Sequence, residues 1–141
     1  MKRKQKQFVR DIVEELKPIY SVDFHEFEIL WCIEDVEDKT YASMSYQDDY
    51  QSATLTIYPV FFTVSIQEQF KILIHEFNHI KSLTMKQAFI HFIGGTKSTT
   101  MTQVTEMDEK LVSSFENIIF NFIVGMPETK KRINALIKKY A

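Results

Sequence analysis

The stretch "ATLTIYPVFFTVSIQEQFKILIHEFNHI", residues 53–80, changes its repeat partway along. In its first six residues Ala53, Leu55 and Ile57 alternate with Thr54, Thr56 and Tyr58. That is the two-residue repeat of a strand with one face buried. Pro59 has no N–H for a sheet ladder, so it stops the strand or marks it as an edge. "SIQE" at 65–68 then has the form of a capping box, in which Ser65 caps a helix and Glu68 reaches back. From there Ile66, Phe70, Leu73, Ile74, Phe77 and Ile80 recur at helical spacing and form one stripe. A helix is predicted from about Ile66 through Leu83, extending toward Phe92, with Gly94 and Gly95 ending it.

Other elements can be read on either side. Residues 5–17 form an amphipathic helix, with Phe8, Ile12, Leu16 and Ile19 on one side and Pro18 limiting its length. "FEILWCI" (27–33) puts Phe27, Ile29, Trp31 and Ile33 on one face of a strand, and Cys32, alternating with them, is read as core. The acidic "EDVEDK" is a turn. "TYASMSY" (40–46) alternates Ala42, Met44 and Tyr46 with Tyr41, Ser43 and Ser45. A further helix covers roughly Thr105 to Val124 and stops at Gly125. Pro127 opens a last one, with Ile133, Leu136, Ile137 and Tyr140 at helical spacing. Helix, small three-stranded sheet, then three helices is an α+β fold, because strands and helices are segregated.

A chain of 141 residues fits a single domain, residues 1–141. Hydrophobic residues make up 45% and charged residues 26%, the mixture of a globular protein. Cys32 is the only cysteine, which excludes an internal disulfide and a four-cysteine zinc site and favours a reducing, cytoplasmic setting. The basic start is followed by no apolar run, which argues against a signal peptide, and no stretch approaches a membrane span. The formal charge of −2 is unevenly spread. Lys2, Arg3, Lys4, Lys6 and Arg10 stand near the start, Lys130, Lys131, Arg132, Lys138 and Lys139 near the end, and Lys39 is the sole cation between Asp23 and Asp49. Basic ends alone read as solvated surface. Nucleic-acid binding would need Lys and Arg clustered with aromatics on one surface, so nucleic acid is not the expected partner.

"HEFNH", residues 75–79, carries the chemistry. On a helix His75 and His79 lie one turn apart on the same face. At 100° per residue they point nearly opposite the apolar stripe, with Ile72 and Leu83 on or near their side. Two imidazoles so placed can grip one zinc ion, and Glu76, offset around the helix, can reach a water on the metal without binding it. This is the H-E-x-x-H arrangement.

On these residues the chain resembles the zincin metallopeptidases. The metzincin branch continues as HExxHxxGxxH, and the later positions here are Ser82 and Met85, so that branch does not match. The thermolysin-like gluzincins match better, and small proteins of this kind occur in bacteriophages and bacteria. The resemblance implies a third metal ligand, usually Glu, from the next helix. "TEMDEKLVSSFENIIFNFI" offers Glu106, Asp108, Glu109 and Glu116. Its apolar face is Met107, Leu111, Phe115, Ile118 and Phe122, widened by Val112 and Ile119. Asp108 points into that face, Glu109 lies at its edge and Glu106 points away. Glu109 is taken first and Asp108 as the alternative, since Thr105 and Asp108 can also form a capping box. The gluzincin pattern adds an acid four residues after the ligand to support a histidine, and Ser113 stands there.

The resemblance further implies Zn2+ as cofactor, a peptide or protein substrate, and Glu76 as the catalytic base. The competing reading is a zinc-binding protein of the same fold that acts as a non-catalytic or partner-specific interaction module. Tyr58, Tyr50 and His91 are candidate donors to the transition state. His91 cannot share the metal if its helix runs unbroken, and could swing in only after a break near Met85. His25 reads as structural or exposed. By the same resemblance, "ATLTIY" would be the edge strand that pairs with an extended substrate.

Overall fold

The computed structural model describes residues 2–20, 26–47, 52–93, 105–113 and 125–141, with the backbone alone at residues 2, 81 and 83–93. The described elements are α1 (Lys2–Ile19), β1 (Glu26–Trp31), β2 (Ala42–Gln47), β3 (Ser52–Ile57), a 3-10 turn (Pro59–Thr63), α2 (Ile66–Ile93), α3 (residues 105–113) and α4 (Pro127–Tyr140). This is the predicted α+β order. The expected continuation of α3 to Val124, with Glu116 on it, lies outside the described residues.

The sheet order is β1-β3-β2, with β1 parallel and β2 antiparallel to β3. Register brings Phe27, Ala53 and Tyr46 into one row, Ile29, Leu55 and Met44 into the next, and Trp31, Ile57 and Ala42 into the third. These are the inward sets that alternation predicts, because side chains share a face at every second position. The opposite face carries Ser43, Ser45, Thr54 and Thr56.

Two expectations about the sheet are corrected. Strand β3 is central rather than an edge, since both of its sides are hydrogen-bonded to neighbours. Pro59 therefore ends it without marking an edge. Ile33 lies beyond β1 in the connector and is 92% exposed, and Cys32 is only half-buried. That connector turns through Lys39, which has a positive φ of 56°. Asp35 Oδ1 anchors it by accepting the Val60 N–H at 2.7 Å.

The core lies between the inward sheet face and the helices. Phe8, Val9, Ile12, Val13 and Leu16 of α1, Phe70, Leu73, Ile74 and Phe77 of α2, and Ile133 of α4 are all buried. Val9 and Val13 widen the predicted stripe of α1. Pro18 falls in the last turn of α1, where little helix remains to be broken, so α1 outruns its predicted end at 17. Ser65 Oγ accepts the Glu68 N–H at 3.2 Å and caps α2, while the Glu68 carboxylate pairs with Lys71 at 3.3 Å. Helix α4 runs back along α1, where Arg132 meets Glu15 at 2.9 Å and Tyr140 donates to Asp11 at 2.6 Å. Among the described residues no helix is long and apolar enough to cross a membrane.

Candidate metal centre

The pentapeptide 75–79 divides between two environments. Phe77 and Asn78 face the core, 0% and 1% exposed. Phe77 packs against Tyr20 and Phe27 with ring centroids 5.3 and 5.8 Å away, and Asn78 Oδ1 accepts the Tyr20 hydroxyl at 2.6 Å. His75, Glu76 and His79 turn the other way, toward a cleft between α2, β2 and α3. Packing on one side of α2 thus fixes the direction of the histidines on the other.

Helix α3 brings the third group. Asp108 is buried, Glu109 is half-exposed and Glu106 exposed, in the order helical phase predicts. Met107 departs from its predicted place on the apolar face, being 52% exposed, while Val112 is fully buried. The His75 and His79 rings stand edge to face, 5.0 Å apart. Their Nε2 atoms each lie 3.4 Å from a different oxygen of Glu109. His75, His79 and Glu109 offer three ligand atoms, all within 4.8 Å of one another, and this group could hold a metal ion. Tetrahedral bonds of about 2.0–2.1 Å place donor atoms about 3.3–3.4 Å apart. Each imidazole meets Glu109 at that length but at a different carboxylate oxygen, which puts the carboxylate within reach of both nitrogens, and two nitrogens with one carboxylate are a suitable donor set.

The alternative ligand, Asp108, stands elsewhere. Its Oδ2 lies 3.2 Å from His79 Nδ1, on the ring edge away from Glu109, and its Oδ1 accepts the Ser82 hydroxyl at 2.6 Å. Consecutive residues of α3 thus meet the two nitrogens of one imidazole.

Glu76 is buried. Loss of water pushes its carboxyl up, His75 pulls it back, Glu109 pushes it up again and the Met44 N–H, donating to it, pulls it down; the balance lies at about 7. A carboxyl with that value can both take and return a proton near neutral pH. The hydrogen bond from Met44 ties Glu76 to β2.

The cleft measures about 660 Å³, and its lining includes Tyr41, Ser43, Met44 and Tyr46 from β2 and its approach, and Lys71, Ile72, His75 and His79 from α2. That volume lies within the usual range of ligand clefts. The strand beside the cleft is therefore β2, not "ATLTIY", because β3 is enclosed by two neighbours and has no free edge.

Of the candidate donors, Tyr58 is absent from the cleft lining, Tyr50 lies outside the described residues, and so does the His91 side chain. The backbone of α2 is helical through Ile93 without the break near Met85 that would bring His91 round. His25 also lies outside the described residues. Tyr41 and Tyr46 are the tyrosines the cleft presents among described residues, and their alternation on 40–46 was the signal that could have found Tyr46. Comparison of the chain with protein-family models, with curated proteins and with solved structures gives no match.

Proposed function

We propose that this chain is a zinc-dependent metallopeptidase that hydrolyses peptide bonds, with His75, His79 and Glu109 as ligands and Glu76 as general base. The observation that carries this reading is the meeting of both Nε2 atoms with one carboxylate at 3.4 Å, beside a buried glutamate on the same helix. Three protein ligands of nitrogen and oxygen leave a fourth position open, the pattern of catalytic rather than structural zinc. A zinc ion held there supplies a Lewis acid that polarises a carbonyl and acidifies water to a pKa of about 7.

The rest of the chemistry belongs to the chain. Glu76 accepts the proton that the attacking water gives up. The carbon–nitrogen bond then breaks, and Glu76 delivers that proton to the leaving amine. Burial keeps this carboxyl dry and raises its affinity for the proton, and the Met44 N–H holds it toward the cleft. The side of β2 away from β3, which among the described residues pairs with no strand, would lie along an extended substrate next to the histidines.

The test is a mixed peptide pool incubated with zinc-loaded protein, with products read by mass spectrometry. Wild type is expected to cleave. Glu76→Gln is expected to hold zinc unchanged and to lose at least about 100-fold in rate. A fully loaded wild type that cleaves nothing would leave a zinc-binding interaction module, and equal rates in the variant would remove Glu76 from the chemistry.

A further inference from the structure

We propose that Ser82 and Asp108 are positioning residues of the metal centre, a buried pair that sets the tautomer of His79 and the placement of Glu109. The inference rests on His75, His79 and Glu109 holding a metal, and does not require hydrolysis.

An imidazole ligates through whichever nitrogen lacks the proton, and its other nitrogen must then donate to something. For His79 the Nε2 edge faces Glu109 and the Nδ1 edge faces Asp108 Oδ2 at 3.2 Å. Carboxylates face both ring nitrogens, but the contact with hydrogen-bond geometry is the one to Asp108, and a carboxylate oxygen only accepts, so it favours the ring proton on Nδ1 and leaves the Nε2 lone pair for the metal. Asp108 is in turn held by Ser82, whose hydroxyl lies 2.6 Å from Oδ1 and 3.1 Å from the His79 carbonyl oxygen. The one hydroxyl proton goes to the shorter, carboxylate bond.

Burial makes the arrangement rigid. Ser82 is 0% exposed and Asp108 8%. Ser82 follows His79 by three residues on the same helix, so hydroxyl and imidazole are spaced by the helix itself. Asp108 immediately precedes Glu109 on α3. Seating Asp108 on Ser82 therefore also decides where the Glu109 carboxylate reaches. One buried hydroxyl on α2 links the orientation of the second histidine to the docking of the helix that carries the third ligand.

The full-length chain tests this with Ser82→Ala, Ser82→Thr and Asp108→Ala. Zinc affinity is measured by competition with a chromophoric chelator, and long-range nitrogen–proton NMR on the metal-free protein reports which His79 nitrogen is protonated. In wild type the proton sits on Nδ1. Asp108→Ala is expected to weaken zinc binding by about 10–100-fold and to shift the proton toward Nε2. Ser82→Ala weakens it by about 10-fold, and Ser82→Thr, which keeps the hydroxyl, restores it. Wild-type affinity and an unchanged tautomer in both alanine variants would overturn the proposal, as would weakened binding that tracks lost helicity with the tautomer unmoved. A wild type that takes up no zinc overturns it together with the metal site. Zinc bound without peptide cleavage leaves it standing and removes only the enzymatic reading.

Discussion

Neighbouring side chains on one turn of α2 carry opposite kinds of importance. Phe77 is fully buried among Tyr20 and Phe27, so Phe77→Ala is expected to cost about 3–5 kcal/mol in urea unfolding. The His75 side chain is 25% exposed and lies outside the apolar core, so His75→Ala in metal-free protein should change stability by less than about 1 kcal/mol. Equal losses from the two would mean that the histidine face is part of the core. The division was legible in the sequence because helical phase is local: two histidines four apart share a face, and Phe77 falls on the other. The bond between Ser82 and Asp108 was not legible. Its partners are 26 positions apart, and although Asp108 was readable as an inward-pointing acid and alternative ligand, nothing local marks Ser82 as its partner. The choice of Glu109 over Asp108 for the Nε2 edge likewise depends on how α3 docks, which no spacing within α3 determines.

Between elements, the contact of α1 with α4 includes one hydrogen-bonded acid, Asp11. Partial burial raises the pKa of Asp11, but the hydrogen bonds from Tyr140 and Gln7 and the charge of Lys139 outweigh it and hold the value below the ordinary 3.8. A carboxyl lowered in the folded state stabilises above its unfolded pKa, and that contribution fades as pH falls through the folded value. Tyr140→Phe is therefore expected to lose about 1 kcal/mol at neutral pH, with the gap to wild type shrinking below pH 3.8. Denaturant titrations of both proteins at several pH values check this, and a gap that widens in acid would reject the assignment. Element types and most faces were readable from period alone, including Phe27, Ile29 and Trp31 of β1 and Ala53, Leu55 and Ile57 of β3, though not where β1 ends short of Ile33. Strand order was not, because each strand alternates in the same way whether it lies at the centre or the edge. Pairing of β1 with β3 joins segments that are far apart in sequence, so nothing local corrected the expectation, taken from the resemblance, that "ATLTIY" is the edge strand beside the cleft.

At the scale of the whole molecule, the apolar core of the described residues includes none of His75, His79 and Glu109. Metal should therefore stabilise the fold without being needed to form it. Zinc in 100-fold excess over its dissociation constant adds about 2.7 kcal/mol. Chelation is expected to lower the melting temperature of wild type by several degrees and to leave secondary structure intact by circular dichroism. Loss of that structure on chelation would make the site structural. The account as a whole depends on one group of three side chains, and metal content measures it most directly. Protein purified without added metal, then supplied with micromolar zinc and desalted, should carry close to one zinc per chain by mass spectrometry, and His75→Ala should carry almost none. A wild type that stays metal-free under that supply would contradict the account, and His75, Glu76 and His79 would then be the polar side of an amphipathic helix, with the histidines beside Glu109.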